Sequence, residues 1–460
     1  MSMSERSEER QTDFWIPTAA IAQSPGHPFY QRLNAVLKAH GFDRFVEGSC
    51  RKFYAEKMGR PGIAPGVFFR MLLIGYFEGL DSERGIAWRC ADSLGLREFL
   101  GYTLAQATPD HSSLSVIRRR LDLATMQEVF RWVLQVLAEE GLLKGKTIGV
   151  DATTLEANAA LRSIVRRDTG ESYTAFLTNL AKASGIEEPE RKDLAKIDKN
   201  RPKKGSNAEW QHPCDADARI TKMKDGRTHL AHKAEHAVDL DTGAVVAVVL
   251  HKANAGDTQT LLPTLEQAAA NVDGQPGVVQ PIQEVVTDKG YHSNETAASL
   301  VEAGIRTYFS EPDRPRRNWK GKAFERQAVY ANRRRIRGER GKRLLRRRGE
   351  LLERPFAHCY ETGGMRRTHL RGHENILKRL LVHVAGCNLG LLMRRRYHFG
   401  TPKGLAEALS SLLDALVRCI HALVPVPTSV LILLFDVRDW CGSWLSRHGL
   451  PRAAAFSTGC

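Results

Sequence analysis

Residues 147–155 read TIGVDATTL, and residues 284–288 read EVVTD. Both stretches are short and rich in β-branched residues, which favour β-strands. We expect Asp151 to end the first core strand and Asp288 to end the second. Active sites of α/β folds usually lie at the carboxyl ends of their strands. If the two strands are neighbours, both carboxylates therefore face one cleft.

The sequence between and after these stretches predicts a mixed α/β core. From Arg227 the chain has the pattern of β-hairpins, in which THLAHKAEHAVDL and AVVAVVLHKA flank a turn at 241–243. Helices are expected at about 259–270 and 294–303, and a last strand at 305–309. The resulting order β, ββ, α, β, α, β is typical of a mixed α/β fold.

Helical patterns lie on both sides of this core. Apolar residues at three- and four-residue spacing predict an all-helical N-terminal domain at 16–142, after a flexible stretch at 1–15. The α/β core then occupies 143–395, with a polar insertion at about 160–226. Residues 396–460 are expected to form a helical C-terminal extension.

The composition favours a nucleic-acid partner. The chain of 460 residues has 68 Lys and Arg against 52 Asp and Glu, a formal net charge of +16. Such a field attracts polyanions, nucleic acid before an anionic membrane, and the alternative is a merely solubilising surface. The eight cysteines form no CxxC pair, and the polar N-terminus has no signal-peptide pattern. We expect a cytoplasmic, nucleoid-associated protein.

No membrane is expected as a partner. The most apolar C-terminal stretch, 422–435, is too short to cross a bilayer and contains two prolines. The sequence also has no GxxxxGK[ST], no GxSxG and no GxGxxG after a strand, so ATP, esterase and dinucleotide chemistry have no support.

The most basic part of the chain leads to a third acid. Residues 314–348 contain 16 Lys or Arg and two acids, with Trp319, Phe324 and Tyr330 interleaved. Glu353 follows this region on a predicted helix. With Asp151 and Asp288 it would complete a two-metal site, which clamps the attacking and leaving oxygens of a phosphoryl transfer.

Each acid also has a simpler interpretation. An Asp at a strand end is most often a turn or helix-cap residue when it is seen alone. Glu353 among arginines is most often a surface ion pair, and Glu350 is its rival on nearly the same helical face. His232 and His236 could share zinc on a helix, but the alternation around them predicts a strand, where they lie roughly 13 Å apart.

An ordered set of motifs resembles the DDE-type transposases of bacterial insertion sequences. Helical segments at 69–80 (FRMLLIGYFEGL) and 109–115 (PDHSSLS) are similar to their N-terminal domain. The segments 151–154 (DATT), 287–292 (TDKGYH) and 353–356 (ERPF) are similar to their three catalytic motifs. The hairpin motifs at 215–220 and 233–239, and RRTHLRG from 366, occur in the expected order, so the resemblance covers about 45–395.

The resemblance implies a ribonuclease H-like core and two Mg²⁺ (or Mn²⁺) ions bound by Asp151, Asp288 and Glu353. It also implies double-stranded DNA as substrate, with the terminal inverted repeats cut and joined to target DNA, and a homo-oligomer that handles two ends together. Arginines expected to contact DNA are Arg118, Arg120, Arg333, Arg334, Arg335, Arg346, Arg347, Arg348, Arg354, Arg366, Arg367 and Arg371. The N-terminal domain is expected to recognise the element ends or to serve in packing and dimerisation.

The chain departs from the family at one place. Many relatives carry a Tyr and an Arg before the catalytic Glu and a Lys or Arg seven residues after it. Here Tyr360 occupies the later position, so Arg354 and Arg366 are candidates for the phosphate contact. A structure-specific nuclease without strand transfer and a catalytically decayed DNA-binding protein are the alternative functions.

Overall fold

The computed structural model describes residues 26–55, 62–201, 205–223, 226–278, 282–313 and 317–423. The expected flexible stretch at 1–15 and nearly all of the apolar stretch at 422–435 lie outside these residues. Helices cover most of the described chain before residue 140: α1 (Pro28–Ala39), α2 (Phe42–Cys50), α3 (Pro65–Phe77), α4 (Glu83–Asp92), α5 (Leu94–Leu100), α6 (His111–Arg120) and α7 (Leu123–Glu139).

Side-chain caps start four of these helices. Ser82, Ser93, Asp110 and Asp122 accept hydrogen bonds from backbone N–H groups in the first turns of α4, α5, α6 and α7. Such caps satisfy N–H groups that have no partner within the helix. The described residues before β1 contain no strand, which confirms the expectation of an all-helical N-terminal part.

The strands are β1 (Thr147–Glu156), β2 (Val165–Arg166), β3 (Trp210–Gln211), β4 (Arg219–Lys222), β5 (Thr228–Asp239), β6 (Val245–Lys252), β7 (Glu284–Thr287) and β8 (Arg306–Phe309). The main sheet has the order β6-β5-β1-β7-β8, and β4 pairs with the first residues of β5. β5 is antiparallel to β1 and to β6, whereas β1, β7 and β8 are parallel to one another. This is the mixed α/β core that the sequence predicted.

The remaining helices are α8 (Tyr173–Ala183), α9 (Arg191–Asn200), α10 (Asp257–Val272), α11 (Asn294–Glu302), α12 (Ala323–Arg337), α13 (Glu339–Phe356), α14 (His373–Tyr397) and α15 (Pro402–Leu423). A π-helical turn, Ala357–Thr362, continues α13. The helices α10 and α11 and the strands β5 to β8 lie within one or two residues of their predicted bounds.

The polar insertion has more structure than its composition indicated. It contains α8, α9 and the small pair β2–β3, which surround a small core around the fully buried Trp210. Tyr173 and Phe176 of α8 contact the Trp210 ring edge-on, at centroid distances of 5.0 and 5.3 Å. These three aromatic residues supply the apolar surface that a charge-rich segment otherwise lacks.

One hydrophobic core joins the N-terminal helices to the main sheet. Helix α14 lies at its centre, where it contacts α3, α7 and β6. The segment from α14 into α15 is long and apolar enough to cross a membrane, but 83% of its most apolar window is buried inside the protein. A core helix passes the same test, so this burial accounts for the apolar character of α14.

Candidate active site

Asp151 and Asp288 lie level with each other on two parallel strands. β1 pairs with β7 from Thr147 opposite Glu284 to Gly149 opposite Val286. Asp151 is two residues after Gly149 within β1, and Asp288 is two residues after Val286, directly beyond the end of β7. The sequence placed Asp151 at the end of its strand, and this is wrong: β1 continues to Glu156 because β5 pairs with it along nearly its whole length.

Asp151 is already in contact with a positive charge. The Arg348 guanidinium of α13 donates to Asp151 Oδ2 at 2.6 Å, and the backbone N–H of Ala152 donates to Oδ1 at 2.8 Å. Both side chains are partly buried, with exposed fractions of 29% for Asp151 and 14% for Arg348. This ion pair is therefore shielded from solvent more than a surface pair. The Arg348 Nε atom is buried and has no hydrogen-bond partner among the residues that the structure describes.

Asp288 caps the short 3₁₀ turn that follows β7. Its Oδ1 accepts from the backbone N–H of Gly290 at 2.9 Å. A Cβ at Gly290 would lie 2.5 Å from Asp257 Oδ2 and 3.2 Å from Asp288 Oδ1. A side chain at position 290 would crowd both carboxylates, so the glycine lets them lie against the turn. The cap role that the sequence left open for Asp288 is real, and it holds this carboxylate next to Asp257.

A buried polar network supports this turn. It was not predicted from the sequence. Glu235 on β5 is fully buried and accepts from the hydroxyls of Tyr291 at 2.7 Å and Thr260 at 2.8 Å, and also from Thr264. Lys233 lies two residues earlier on the same face of β5 and donates to Asp257 at 2.6 Å. The network ties β5 and the start of α10 to the residues directly after Asp288. Its signal in the sequence was the alternation of Lys233 and Glu235 along a strand.

Glu353 lies on α13, and residues on either side of it contact β1 and β5 near Asp151. Leu352 packs over β1, where a Cβ at Gly149 would be 2.7 Å from Leu352 Cδ1. Phe356 contacts the ring of His236 at 4.9 Å, and His236 is the residue of β5 paired with Asp151. Glu353 is between these two contacts along the helix and is exposed.

Glu350, the rival of Glu353, has a different environment. Its carboxylate forms an exposed ion pair with Arg354 one turn later on α13. Glu353 lies one turn before Phe356, whose ring contacts His236 of β5. The ion pair therefore distinguishes Glu350, and Glu353 stays the predicted third carboxylate.

Tyr360, seven residues after Glu353, has its side chain in the protein interior. Tyr360 lies in the π-helical turn, is buried, and its hydroxyl forms a 2.5 Å hydrogen bond with His236 Nε2. Burial lowers the pKa of His236 to about 3, so its ring is neutral at pH 7. A π-helical turn shifts the side chains that follow it, and such turns are frequent at functional sites. This geometry explains why Tyr360 cannot contact DNA as a basic residue would.

The chemistry of the acids fits a divalent metal ion. Carboxylate oxygens are the ligands that Mg²⁺ and Mn²⁺ prefer, and Asp151 and Asp288 offer them at neighbouring positions. Arg348 already binds Asp151 Oδ2 at 2.6 Å, so a metal ion would compete with this guanidinium for that oxygen. Within the described residues no three His, Cys, Asp or Glu side chains form a ready-made ligand cluster.

The two histidines considered for a zinc site have different hydrogen-bond partners. His232 and His236 both lie on β5, as the alternation predicted. His232 Nε2 donates to Asp215 at 3.2 Å, whereas His236, four residues further along β5, bonds to Tyr360.

Several of the predicted DNA-binding arginines stabilise the protein itself. Arg118 donates to Glu83 at 2.6 Å and to Asn375 at 2.7 Å, which joins α6 to α4 and α14. Arg333 forms a two-pronged ion pair with Glu311, and Arg335 donates to Thr307. These contacts occupy guanidinium N–H groups that could otherwise donate to a phosphate.

The other arginines are more accessible. Arg120, Arg334, Arg346, Arg354, Arg366, Arg367 and Arg371 are exposed, and Arg347 is partly exposed. Arg366 pairs with Glu361 and Arg371 donates to the carbonyl of Asn158, both at the surface. Surface ion pairs of this kind are weak and exchange readily for a phosphate.

Two family models match the chain. The first, described as a transposase domain (DUF772), matches residues 19–120, and the second, described as a transposase DDE domain, matches residues 186–389. The second match contains Asp288 and Glu353, whereas Asp151 lies between the two matched segments. Neither the search of curated proteins nor the search of solved structures gave a significant match.

The two matches and the fold agree with each other. Together they cover about two thirds of the chain, in the order of an N-terminal transposase domain followed by a DDE domain. A DDE domain implies a ribonuclease H-like fold, and the described sheet is mixed, with β1 between an antiparallel and a parallel neighbour. The chain therefore belongs to the DDE transposases of insertion sequences.

Proposed function

We propose that this transposase binds the ends of its own insertion sequence, cuts the DNA there and joins the 3′ ends to target DNA. The observation that carries the proposal is the level placement of Asp151 and Asp288 on parallel strands, under a basic helix that carries Glu353. Residues 143–395 would form the catalytic domain.

Asp151, Asp288 and Glu353 would hold two divalent ions, Mg²⁺ or Mn²⁺. When bound, such ions activate the attacking water or 3′-hydroxyl and stabilise the leaving 3′-oxygen. The chain's own residues position the carboxylates. Arg348 fixes the Asp151 carboxylate from α13, and the Gly290 N–H fixes the Asp288 carboxylate at the end of β7.

The basic residues of α12 and α13 would neutralise the DNA backbone near these acids. Arg346 and Arg347 lie on α13 within two turns of Glu353 and are not ion-paired to an acid in the described contacts. Arginine forks suit the two free oxygens of a phosphodiester. The exposed arginines at 366–371 extend this basic surface beyond the end of α13.

The N-terminal helices would recognise the element ends, and Arg120 is the better candidate for this contact. Arg120 is exposed at the end of α6, whereas Arg118 serves the packing of α6 against α4 and α14. Because two ends must be handled together, we expect a homo-oligomer on DNA, acting in the cytoplasm at the nucleoid.

The test is a joining assay with DNA fragments that carry the element's own ends already cut to a 3′-hydroxyl. With Mg²⁺ or Mn²⁺, a transposase inserts these ends into a supercoiled target plasmid. Cutting of uncut ends without joining of pre-cut ends would instead indicate a structure-specific nuclease. Salt-dependent binding with neither reaction would indicate a DNA-binding protein that has lost catalysis.

A further inference from the structure

Helix α13 has a second flank, which faces away from Asp151 and borders a small open cleft. Arg354 of α13 and His358 of the π-helical turn form one wall of this cleft. Arg394, near the end of α14, forms the facing wall, and the turns that contain Thr242 and Thr401 close its two ends. The cleft is thus built by four separate parts of the chain.

The cleft concentrates positive charge. Burial lowers the pKa of His358, and the charges of Arg394 and Arg354 lower it further, so the three basic groups lie within electrostatic range of one another. No Asp or Glu is among the residues described as lining the cleft. The nearest acid in contact is Glu350, which pairs with Arg354 from the exposed surface of α13. Two charged arginines with one exposed carboxylate attract an anion, and the neutral His358 ring offers a hydrogen-bonding nitrogen beside them.

Two hydroxyls lie beside these basic groups, and the rest of the lining is mostly apolar, including Leu351, Pro355 and Leu391. The hydroxyls of Thr242 and Thr401 both lie at the cleft. A Cβ at Gly400 would be 2.9 Å from an Arg394 terminal nitrogen, so the glycine lets this guanidinium lie flat against the 400–401 turn. A planar guanidinium with hydroxyl neighbours is a frequent arrangement around phosphate oxygens.

We propose that this cleft binds a backbone phosphate of the DNA strand that the active site cuts or joins. The proposal rests on the proposed function, and it names a contact at the far flank of the helix that carries Glu353. Arg354 directly follows Glu353 in sequence. The two flanks of a helix with its side chains are roughly 10 Å apart, and one strand rises about 3.4 Å per nucleotide. The bound phosphate is therefore within a few nucleotides of the reacting bond.

The experiment compares Arg394→Ala with Arg395→Ala in the full chain. Arg395 is the next residue of α14, is exposed and does not line the cleft. The affinity for end DNA is measured in EDTA over a range of salt concentrations, so that no cutting occurs. We expect Arg394→Ala to weaken binding about tenfold and to reduce the slope of log K against log salt by about 1. Arg395→Ala should change neither, and Arg394→Lys should recover part of the loss.

A walk of single methylphosphonates along each DNA strand identifies the phosphate. Removing the charge of the bound phosphate should weaken the wild type but add little to Arg394→Ala, because both changes remove the same contact. Equal losses for Arg394→Ala and Arg395→Ala, with no methylphosphonate that couples to Arg394, would overturn the proposal. Thermal melting shows whether Arg394→Ala is folded, and Arg394→Lys serves as the test if it is not.

Inorganic phosphate separates a free anion from a DNA phosphate. If millimolar phosphate stabilises the wild type but not Arg394→Ala, while no methylphosphonate couples to Arg394, the cleft binds a free anion and the DNA assignment fails. The outcome for the proposed function is separate. Coupling without any cutting in Mg²⁺ would sustain the cleft and contradict the transposase reaction, whereas cutting without coupling would contradict only the cleft.

Discussion

At the scale of single residues, Glu235 shows how the fold stabilises a charge behind the active site. A buried carboxylate is costly unless its oxygens are hydrogen-bonded. Here hydroxyls of Tyr291, Thr260 and Thr264 satisfy it, with Lys233 at 3.7 Å. Because Tyr291 is three residues after Asp288, the same hydrogen bonds hold the turn that carries the catalytic candidate.

We predict that Tyr291→Phe lowers the free energy of unfolding by about 1.5–3 kcal/mol, since it removes a hydrogen bond to a buried charged group. The measurement is urea unfolding at pH 7. Tyr173→Phe is the matched control, because its hydroxyl bonds to Asp198, which is 38% exposed, and it should cost less than about 1 kcal/mol. Equal costs for the two variants would contradict the importance of the buried network.

The sequence proposed Asp288 from its strand pattern and Glu353 from its position after the basic region, and both catalytic roles stay predictions. It could not identify the Arg348–Asp151 pair, because that contact depends on how α13 is rotated over β1. Nor could it predict that Tyr360 turns inward, since a π-helical turn has no simple residue pattern.

At the scale of elements, the docking of α13 on β1 decides where Glu353 lies. The contact is close because Gly149 has no side chain: a Cβ there would lie 2.7 Å from both Leu240 and Leu352. The added methyl group would force α13 away from the sheet, and overpacking of this kind is destabilising.

Gly149→Ala is expected to reduce the free energy of unfolding by about 1–3 kcal/mol and to slow DNA cutting, because Glu353 moves with α13. Gly349→Ala, in the interior of α13 with nothing within 4 Å of its Cβ position, should instead stabilise the protein by up to about 1 kcal/mol. Chemical denaturation of the three proteins checks both signs. A Gly149→Ala variant as stable and active as the wild type would show that α13 is not held closely against β1.

The cap of α7 gives a second prediction at this scale. Asp122 accepts from the Thr125 backbone N–H at 2.8 Å, and hydrogen bonds from Thr125, followed by Lys52, lower its pKa to about 2. Asp122→Ala should cost about 1 kcal/mol at pH 7, and Asp122→Asn much less.

The pH dependence of this cap follows from the lowered pKa. The carboxylate contribution is fully present above the ordinary pKa of 3.8 and is lost as the pH falls through about 2. The stability difference between wild type and Asp122→Ala should therefore be constant from pH 7 to 5 and shrink from pH 4 downwards. A difference that does not change down to pH 2.5 would contradict the charged cap.

The core strands and helices were predictable because their apolar patterns are strong. The insertion was less so: α8 and α9 are polar and depend on one aromatic cluster around Trp210 rather than on a long apolar face. The composition therefore predicted a polar insertion but not the helices α8 and α9.

For the whole molecule, the net charge of +16 is expected to dominate its affinity for DNA. If the exposed arginines of α12, α13 and 366–371 make about six phosphate contacts, log K should fall against log salt with a slope of about −5. Filter binding or fluorescence anisotropy between 50 and 300 mM salt measures it. A slope near −1 would show that the basic surface does not follow the DNA backbone.

The sequence also divided the chain into an N-terminal helical part and an α/β core, and the helices and strands follow that division. It did not predict that one continuous hydrophobic core joins the two parts through α14. The reason is that α14 is apolar nearly all round, so its pattern gives no direction for its partners.

The most direct test of the account is cutting of DNA that carries the element's own ends, with Mg²⁺ or Mn²⁺, by the wild type and by Asp151→Asn, Asp288→Asn, Glu353→Gln and Glu350→Gln. We predict that the first three variants bind the DNA as the wild type does but do not cut it, while Glu350→Gln still cuts. Cutting by Glu353→Gln with loss of cutting in Glu350→Gln would move the third carboxylate to Glu350. Cutting by Asp151→Asn and Asp288→Asn at the wild-type rate would contradict the active site itself.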